Sequence, residues 1–406
     1  MVAFRTATHP SEFENQDQED GIVPCSVHVP DDELTELRRR LQTARLPERE
    51  TVASSVDGSM AWSQGVPRHE VEDLLEYWRD EYDWRRFETR LNQIDQVQTT
   101  IDGVGIHALH RRSSRRDATP LILTHGWPGS VVEFIHLVDD LAEPEDDEQP
   151  AFHVVVPSLP GFGFSDKPVV TGWGIEKIAS SWVTLMQRLG YAKFVAHGGD
   201  WGGPITTIMG GRFPDHVLGI HMNWAEGLEG LATDRLNDTE RRWVEDTSTF
   251  GRERLTYAKQ QAYGAQTLGY SLVDSPVGQL AWIFEKFAEW TDHGVQSFGA
   301  VPREALLDNI TLYWLTATGA SSARIYFESH QSLDPNVRVD VPTAITTYPC
   351  DIAKCPRPWA QERYRQIVRW READYGGHFA SLESPEFFLK DLRAGLASVL
   401  ASAAIA

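Results

Sequence analysis

The sequence predicts an α/β fold in which a mostly parallel central sheet is flanked by helices, with a helical lid insertion and an N-terminal helical extension. Continuous apolar runs recur along the chain between helical stretches, which is typical of buried parallel strands covered on both faces. After Asn223 the strand signals stop for about one hundred residues before they return, so the sheet carries a helical insertion. Helical segments that precede the first strand signal predict the extension.

Composition and charge exclude several classes of protein. The 406 residues include 38 basic and 59 acidic side chains, giving a net charge of −21 and no basic stripe, so we expect no nucleic-acid partner. The three cysteines match neither a disulfide framework nor a zinc-binding pattern, which predicts a reducing, cytoplasmic location and no metal. No signal peptide or membrane-spanning apolar run is visible, which predicts a protein without a membrane anchor.

The N-terminal part of the chain predicts a leader followed by helices. Residues 1–22 are polar and acidic, and we expect them to be disordered. Residues 23–95 form the predicted extension, which wraps the core. A first helix with leucines at helical spacing begins near Asp31, and a longer helical segment covers about residues 67–92.

Strand signals begin with a β-hairpin. Val97–Ile101 and Val104–Leu109 flank Asp102-Gly103, a favoured turn pair. The further predicted strands are Pro120–Thr124, Phe152–Pro157, Lys193–Ala196, Val217–Met222, Thr343–Tyr348 and Ile367–Ala373. The insertion is predicted to contain helices over Arg241–Tyr263, Gln279–Thr291 and Arg303–Thr316. We therefore assign residues 96–223 and 336–406 to the core and residues 224–335 to the lid.

The residues around Asp200 predict a nucleophile. A buried strand ends just before Gly198, and a helix is expected from Pro204 onward. Gly198, Gly199 and Gly202 permit a sharp strand-to-helix turn on which larger side chains would clash. This pattern is the nucleophile elbow of the α/β-hydrolases with aspartate in place of serine, and the helix N-terminus behind it favours an anion. The alternative is a glycine-rich turn whose aspartate only caps the helix.

Two further residues complete a candidate catalytic triad. Asp351 and His378 each follow a predicted strand, at the edge where open α/β sheets place their sites. The order nucleophile, acid, histidine is the one that the α/β-hydrolase fold imposes. Glu372 and Asp374 are competing acids, but both precede His378 within or at the end of its own strand. The alternative for Asp351 is an exposed loop acid.

A motif directly after an earlier core strand predicts an oxyanion hole. His125, Gly126, Trp127 and Pro128 follow one another; the proline restricts the backbone and the glycine permits close approach to a neighbour. The fold donates one oxyanion N–H from this position, here Trp127, and a second from the residue after the nucleophile, Trp201. The alternative is an ordinary turn with a packed tryptophan.

An aspartate nucleophile restricts the substrate. Attack by a carboxylate on an ester or amide would give an anhydride, whereas attack on a strained or activated sp³ carbon gives a stable alkyl-enzyme ester. Water activated by His378 would then attack the carbonyl carbon of Asp200. Epoxides and alkyl halides are the two electrophiles that fit, and an epoxide also needs a proton donor for its opening oxygen.

Six short motifs occur together along the chain. They are His125-Gly126-Trp127-Pro128, the run from Pro157 to Ser165, the elbow at 198–202, Asp274-Ser275-Pro276-Val277-Gly278, the run from Asn309 to Trp314, and Gly376-Gly377-His378-Phe379. Together they resemble the motifs of a microsomal-type epoxide hydrolase, an α/β-hydrolase with an extra N-terminal domain. The similarity runs from about residue 24 almost to the end of the chain.

The resemblance implies two lid tyrosines that hold the epoxide oxygen. The second matches Tyr326 and the first is assigned to Tyr257, with Tyr263 and Tyr270 as rivals. A neutral tyrosine hydroxyl, with a pKa of about 10, can hydrogen-bond the ring oxygen and then protonate it. The alternative for either tyrosine is an aromatic side chain packed between lid helices. The triad acid is an aspartate, Asp351, whereas some members of the family use glutamate.

We therefore expect a cofactor-independent epoxide hydrolase that converts an aryl or bulky apolar epoxide and water to a vicinal diol, in detoxification or secondary metabolism. A haloalkane dehalogenase, which also uses an Asp-Trp elbow, is the alternative on the same fold. A non-catalytic ligand-binding receptor on a hydrolase scaffold is the alternative from another class. The sequence leaves the oligomeric state open, with a homodimer as one option.

Overall fold

The computed structural model describes residues 21–52, 62–227, 233–293, 301–329 and 334–405, together with the backbone of residues 3–6. Within them a ten-stranded sheet forms the centre of the molecule. Its strands are β1 (Ala3–Thr6), β2 (Val23–His28), β3 (Gln96–Ile101), β4 (Val104–Arg111), β5 (Thr119–Thr124), β6 (Phe152–Pro157), β7 (Phe194–Gly198), β8 (Val217–Met222), β9 (Thr343–Thr347) and β10 (Ile367–Glu372).

The sheet is mixed and mostly parallel. Its order is β1-β2-β3-β4-β6-β5-β7-β8-β9-β10, antiparallel from β1 to β6 and parallel from β6 to β10. Every residue of β7 and β9 is buried because helices cover both faces, which explains the continuous apolar runs. The predicted α/β-hydrolase fold class is confirmed.

The order of the central strands creates the crevice in which the candidate site lies. β5 lies between β6 and β7 in the sheet. The connection after β5 therefore leads to the neighbouring strand on one side, and the connection after β6 leads to the strand on the other side of β5. Ligand sites of open α/β sheets form outside the carboxyl ends of strands at such a switch point. Thr124 at the end of β5 pairs in register with Gly198 at the end of β7, so the loops that follow both strands start side by side.

Fourteen α-helices lie in the described part of the chain. They are α1 (Asp31–Gln42), α2 (Arg68–Asp80), α3 (Trp84–Asn92), α4 (Val138–Ala142), α5 (Ile175–Arg188), α6 (Gly202–Arg212), α7 (Asp238–Glu253), α8 (Thr256–Leu272), α9 (Pro276–Trp290), α10 (Arg303–Leu315), α11 (Gly319–Ser329), α12 (Arg357–Arg363), α13 (Ala380–Glu383) and α14 (Pro385–Ala403). Alternate residues of β7 pack on opposite faces of the sheet. Ala196 joins the core that contains α5 and α6, and Val195 joins the core that contains α4 and α14.

The helical segment predicted over residues 67–92 is interrupted, so α2 and α3 are separate helices. Asp83 begins α3, since its side chain accepts a hydrogen bond from the backbone N–H of Arg85. The last turns of α2 face the helices inserted after β8. The indole N–H of Trp78 donates to Thr311 at 2.9 Å, and both residues are buried. The extension therefore contacts the insertion directly.

The insertion contains five described helices, α7 to α11, between β8 and β9. The single helix predicted from Arg241 to Tyr263 is wrong in its bounds, because α7 ends at Glu253 and α8 begins at Thr256. Helix α11 has no counterpart in the sequence-based prediction. The assignment of residues 224–335 to a lid unit, like the other domain boundaries, stays a prediction.

The N-terminal edge of the sheet differs from the sequence-based expectation. The backbone of Ala3–Thr6 pairs antiparallel with β2, so the predicted disordered leader is wrong for these four residues. Residues 1–2 and 7–20 lie outside the described residues. In the part of the chain that the structure describes, no helix combines the length and the apolar character needed to cross a membrane.

Candidate active site

Asp200 lies on a sharp turn between β7 and α6. Its φ of 46° is in the left-handed region, which few residues other than glycine adopt. The neighbouring glycines are required by close contacts: a Cβ on Gly198 would lie 2.0 Å from the carbonyl oxygen of Gly202, and one on Gly202 would lie 2.0 Å from that of Thr124. The turn therefore has the geometry expected of a nucleophile elbow.

The structure brings the three predicted triad residues together. Nε2 of His378 lies 3.3 Å from Oδ2 of Asp200, and Nδ1 of His378 lies 2.8 Å from Oδ1 of Asp351. Asp351 and His378 are buried, whereas the rival acids Glu372 and Asp374 are exposed. Asp351 is therefore the acid that can orient the imidazole.

Helix α9 holds the loop that carries His378. The carbonyl oxygen of Trp290 accepts a hydrogen bond from the backbone N–H of His378 at 2.9 Å. A Cβ on Gly377 would lie 2.6 Å from the same carbonyl oxygen, so a larger residue at this position would displace the loop. The inserted helices thus fix the position of the imidazole relative to Asp200.

The charge state of His378 depends on its two carboxylate neighbours. Burial disfavours the imidazolium, but the carboxylate of Asp351 and the hydrogen bond to Asp200 outweigh burial and raise the pKa of His378 to about 10. The free protein at neutral pH therefore holds an imidazolium between two carboxylates. Loss of the negative charge on Asp200 would lower the pKa of His378, because one of the two groups that favour the charged form would be removed.

This dependence gives a testable expectation for Asp200→Ala. We expect the imidazolium of His378 to persist to about pH 10 in the wild-type protein and to lose its proton at a clearly lower pH in the variant. NMR titration of protein labelled with ¹⁵N-histidine measures both pKa values, and His378→Gln protein assigns the resonance. An unchanged pKa in Asp200→Ala would contradict the pairing.

The loop after β5 presents one backbone N–H to Asp200. Trp127 N–H donates to Oδ1 of Asp200 at 2.8 Å, and a Cβ on Gly126 would lie 2.0 Å from the same oxygen. The buried ring of His125 supports this loop, since its Nδ1 donates to the carbonyl oxygen of Gly126 and its Nε2 accepts from the N–H of Leu159. The first N–H assigned to the oxyanion hole is therefore in contact with the candidate nucleophile.

Helix α10 anchors the same loop. The helix was predicted from the sequence, but its contact with this loop was not. The side-chain amide of Asn309 donates to the carbonyl oxygen of Pro128 at 2.7 Å, and the hydroxyl of Tyr313 donates to that of Gly129 at 2.8 Å. Ser130 completes the contact by donating to Oδ1 of Asn309. Both anchors lie in one of the six motifs, but nothing in the motif indicated which atoms they contact.

Trp201 immediately follows Asp200 and precedes the first residue of α6. Its ring contacts that of Tyr326 edge to face, with centroids 4.9 Å apart. The backbone of Trp201 is thus beside the candidate nucleophile. Its role as the second oxyanion donor stays a prediction.

The two predicted lid tyrosines lie beside Asp200, on α8 and α11. Tyr257 is 6% exposed and Tyr326 7%, whereas the rivals Tyr263 and Tyr270 are 76% and 70% exposed. The rings of Tyr257 and Tyr326 contact each other edge to face, with centroids 5.9 Å apart. Burial, reinforced by the negative charge of Asp200, raises the pKa of both hydroxyls, so both stay protonated at neutral pH.

Aromatic rings surround these hydroxyls. Trp127 stacks on Tyr257 with ring centroids 5.3 Å apart and contacts Tyr326 edge to face at 5.7 Å. Trp290 lies 5.3 Å from Tyr257 and 5.0 Å from His378, again measured between centroids. Polar groups of the candidate site are therefore enclosed in apolar walls, which strengthens electrostatic interactions within it.

The fold and this arrangement define an α/β-hydrolase with aspartate at the nucleophile position. Residues 22–134 match the family described as "Epoxide hydrolase N terminus", and residues 119–266 match the family described as "alpha/beta hydrolase fold". The chain belongs to the epoxide hydrolase family, and the predicted relationship to the microsomal type is confirmed.

Three relatives illustrate the similarity. A Stigmatella aurantiaca protein that carries an epoxide hydrolase name is 46% identical, over 92% of this chain and 84% of its own length. Epoxide hydrolase 1 of Sus scrofa is 32% identical, over 93% of this chain and 88% of its own. The solved structure of the Aspergillus niger epoxide hydrolase is 32% identical and superposes with a TM-score of 0.83, covering 93% of this chain and 96% of that one.

Proposed function

We propose that this protein hydrolyses an epoxide with aryl or other bulky apolar substituents to a vicinal diol, through a covalent ester on Asp200. The observation that carries the proposal is the position of one carboxylate. Asp200 lies beside two buried tyrosines whose rings contact each other and beside a histidine that is paired with a second carboxylate. In this proposal Asp200 is the nucleophile, the two tyrosines are the proton donors, and the histidine acts as the base in the second step.

In the first step a carboxylate oxygen of Asp200 attacks an epoxide carbon and the carbon–oxygen bond of the ring breaks. Tyr257 and Tyr326 hold the ring oxygen, and one of them gives it a proton as the ring opens. The products of this step are the hydroxyalkyl ester of Asp200 and a tyrosinate. The relief of ring strain drives the step.

In the second step the ester is hydrolysed at the carbonyl carbon of Asp200. Ester formation neutralises Asp200 and lowers the pKa of His378, whose released proton replaces the one that the tyrosine lost. The neutral imidazole then takes a proton from water while the hydroxyl adds to Cγ, and the N–H groups of Trp127 and Trp201 stabilise the oxyanion. On collapse the diol leaves with the proton from His378, and the acid proton of Asp200 returns to the imidazole.

The aromatic surroundings support a bulky apolar substrate. The rings of Trp127, Trp201 and Trp290 border the two tyrosines, so substituents of the epoxide would contact aromatic faces. Such contacts favour aryl and other large apolar groups. Detoxification and secondary metabolism are the settings in which we propose such substrates arise.

The two alternatives lack a feature that favours them. A haloalkane dehalogenase has a leaving halide to solvate and no alkoxide to protonate, so it gives no reason for a buried pair of tyrosines beside Asp200. A receptor without catalysis gives no reason for His378 to be paired with two carboxylates. Epoxide hydrolysis accounts for both features.

The location and the assembly are part of the proposal. The three cysteines Cys25, Cys350 and Cys355 are free thiols, which supports a reducing, cytoplasmic location. The binding partners we propose are an epoxide and water. A homodimer stays a prediction, which sedimentation equilibrium of the purified protein would test.

Mass spectrometry of His378→Gln protein mixed with a panel of aryl epoxides tests the proposal. The variant should form the ester but hydrolyse it slowly, so we expect a stable adduct on the peptide that contains Asp200. Asp200→Ala protein is the control and should give no adduct. An adduct with an alkyl halide and with no epoxide would instead indicate a dehalogenase.

A further inference from the structure

A small cavity with a mixed polar and apolar lining adjoins Asp200 and His378. Its volume is about 10 Å³, at the lower limit of the space that one water molecule occupies. Its lining includes the polar side chains of Asp200, Glu133, Asn223, His378, His197 and Ser381, together with apolar side chains such as those of Phe134 and Phe379. Apolar cavities stay dry, whereas a cavity with several polar partners holds water, so this cavity has both the size and the lining of a site for one water molecule.

Glu133 reaches the cavity from the 3₁₀ turn Val131–Glu133, just after the loop that carries Trp127. Its Oε1 lies 1.6 Å from the position that a Cβ on Gly129 would occupy. Two glycines of this loop therefore leave room for two carboxyl groups: Gly126 for Asp200 and Gly129 for Glu133. The mechanism described above does not use Glu133.

The protonation state of Glu133 suits a hydrogen-bond donor. Burial raises the pKa of Glu133 to about 8, with the imidazolium of His378 opposing the shift and the charge of Asp200 reinforcing it. At neutral pH the group is mainly the neutral acid, which has one O–H to donate and an oxygen that can accept.

Asn223 is an independent indication of a bound molecule. It follows β8, is 8% exposed and borders the same cavity. Its Oδ1 is buried without a hydrogen-bond partner among the described residues and lies 2.6 Å from where a Cβ on Gly199 would be. Buried oxygens of this kind are normally paired with protein or with ordered water.

We infer that Glu133 and Asn223 hold the hydrolytic water in this cavity, between Nε2 of His378 and the carbonyl carbon of Asp200. The inference rests on the proposed function and assigns two residues to its second step. The water would donate one hydrogen to His378 and the other to Oδ1 of Asn223, and would accept the O–H of Glu133. Its remaining lone pair is then free to attack Cγ of Asp200, and all of its other hydrogen-bonding capacity is used.

Rapid-quench mass spectrometry of a single turnover of styrene oxide tests this assignment. It measures formation and decay of the Asp200 ester separately in the wild-type protein and in Glu133→Leu, Glu133→Gln and Asn223→Leu. In both leucine variants we expect ester decay to slow by roughly 10²-fold while ester formation changes by less than about threefold, since a misplaced water affects only the second step. Glu133→Gln keeps a donor and an acceptor and should stay within about fivefold of the wild-type decay rate.

The variants distinguish a positioning role from a purely structural one. A comparable fall in ester formation would overturn the inference, because it would mean that the loop or the elbow had moved. Unchanged decay in Asn223→Leu, or a glutamine variant as impaired as the leucine variant, would also overturn it. If Glu133→Leu does not fold, as judged by thermal unfolding, the ester decay rates of Asn223→Leu and Glu133→Gln still test the assignment. Failure of the proposed function would be seen separately, as absence of any ester in His378→Gln.

Discussion

Replacing Asp200 by alanine is expected to lower kcat/KM for an aryl epoxide by roughly 10⁴-fold or more. The variant has no atom that can form the ester, and loss of a residue that acts with its neighbours as a unit removes nearly the whole catalytic effect. Because Asp200 accepts the N–H of Trp127 and faces His378 without lying in the hydrophobic core, we expect the fold to be retained. Diol formation from styrene oxide and thermal unfolding measure the two effects.

Asp215→Ala is the matched control for this prediction. Asp215 follows the helix that begins at the elbow but is exposed, so its removal should leave both activity and stability nearly unchanged. Residual activity of Asp200→Ala above about one per cent of the wild type would contradict a covalent mechanism. Direct attack by water would then be the better explanation.

Replacing both lid tyrosines by phenylalanine is expected to lower the rate of ester formation by about 10³-fold, and each single replacement by a smaller factor. Phenylalanine keeps the ring contacts of Tyr257 with Trp127 and of Tyr326 with Trp201. Only the hydroxyl groups are lost, which we propose hold and protonate the epoxide oxygen. Stopped-flow fluorescence of the surrounding tryptophans, calibrated by rapid-quench mass spectrometry, measures the rate.

Tyr263→Phe provides the control for the tyrosine pair. Tyr263 lies on the same helix as Tyr257, but its side chain is exposed, so we expect no change in ester formation. A double variant that opens epoxides at the wild-type rate would remove the argument for epoxide chemistry. A loss of activity in Tyr263→Phe equal to that of Tyr257→Phe would mean that the tyrosine assignment is wrong.

The three tyrosines Tyr257, Tyr263 and Tyr270 show what the sequence alone could not decide about the site. All three tyrosines lie on α8, which changes direction at Gly264, and their spacing alone does not indicate which side chain faces the core. Packing against Trp127 and Trp290 buries Tyr257, while Tyr263 and Tyr270 face outward. The resemblance pointed to Tyr257, and burial separates it from the rivals.

The ends of strands were predictable for a different reason. A parallel strand buried on both faces needs a continuous apolar run, and a turn as tight as the elbow needs small residues. The position of Asp200 after the buried strand β7 therefore follows from constraints that act within a few residues. The strands before Asp351 and His378 are less apolar, and these two residues were predicted from their order along the chain and from the strand ends that they follow. Helix α11 was not predicted, because its burial depends on contacts with other elements, above all α8.

By itself the sequence predicted the order of the strands, the tight turn at Asp200, the candidate triad residues and the loop with Trp127. Each of these depends on local backbone geometry or on which residue types occur beside a strand end. Only the tertiary structure decided how α10 anchors that loop through Asn309, and that Glu133 and Asn223 border one cavity with His378. These groups are far apart in the chain. Their proximity results from the packing of inserted helices, loops and sheet, which no short stretch of sequence encodes.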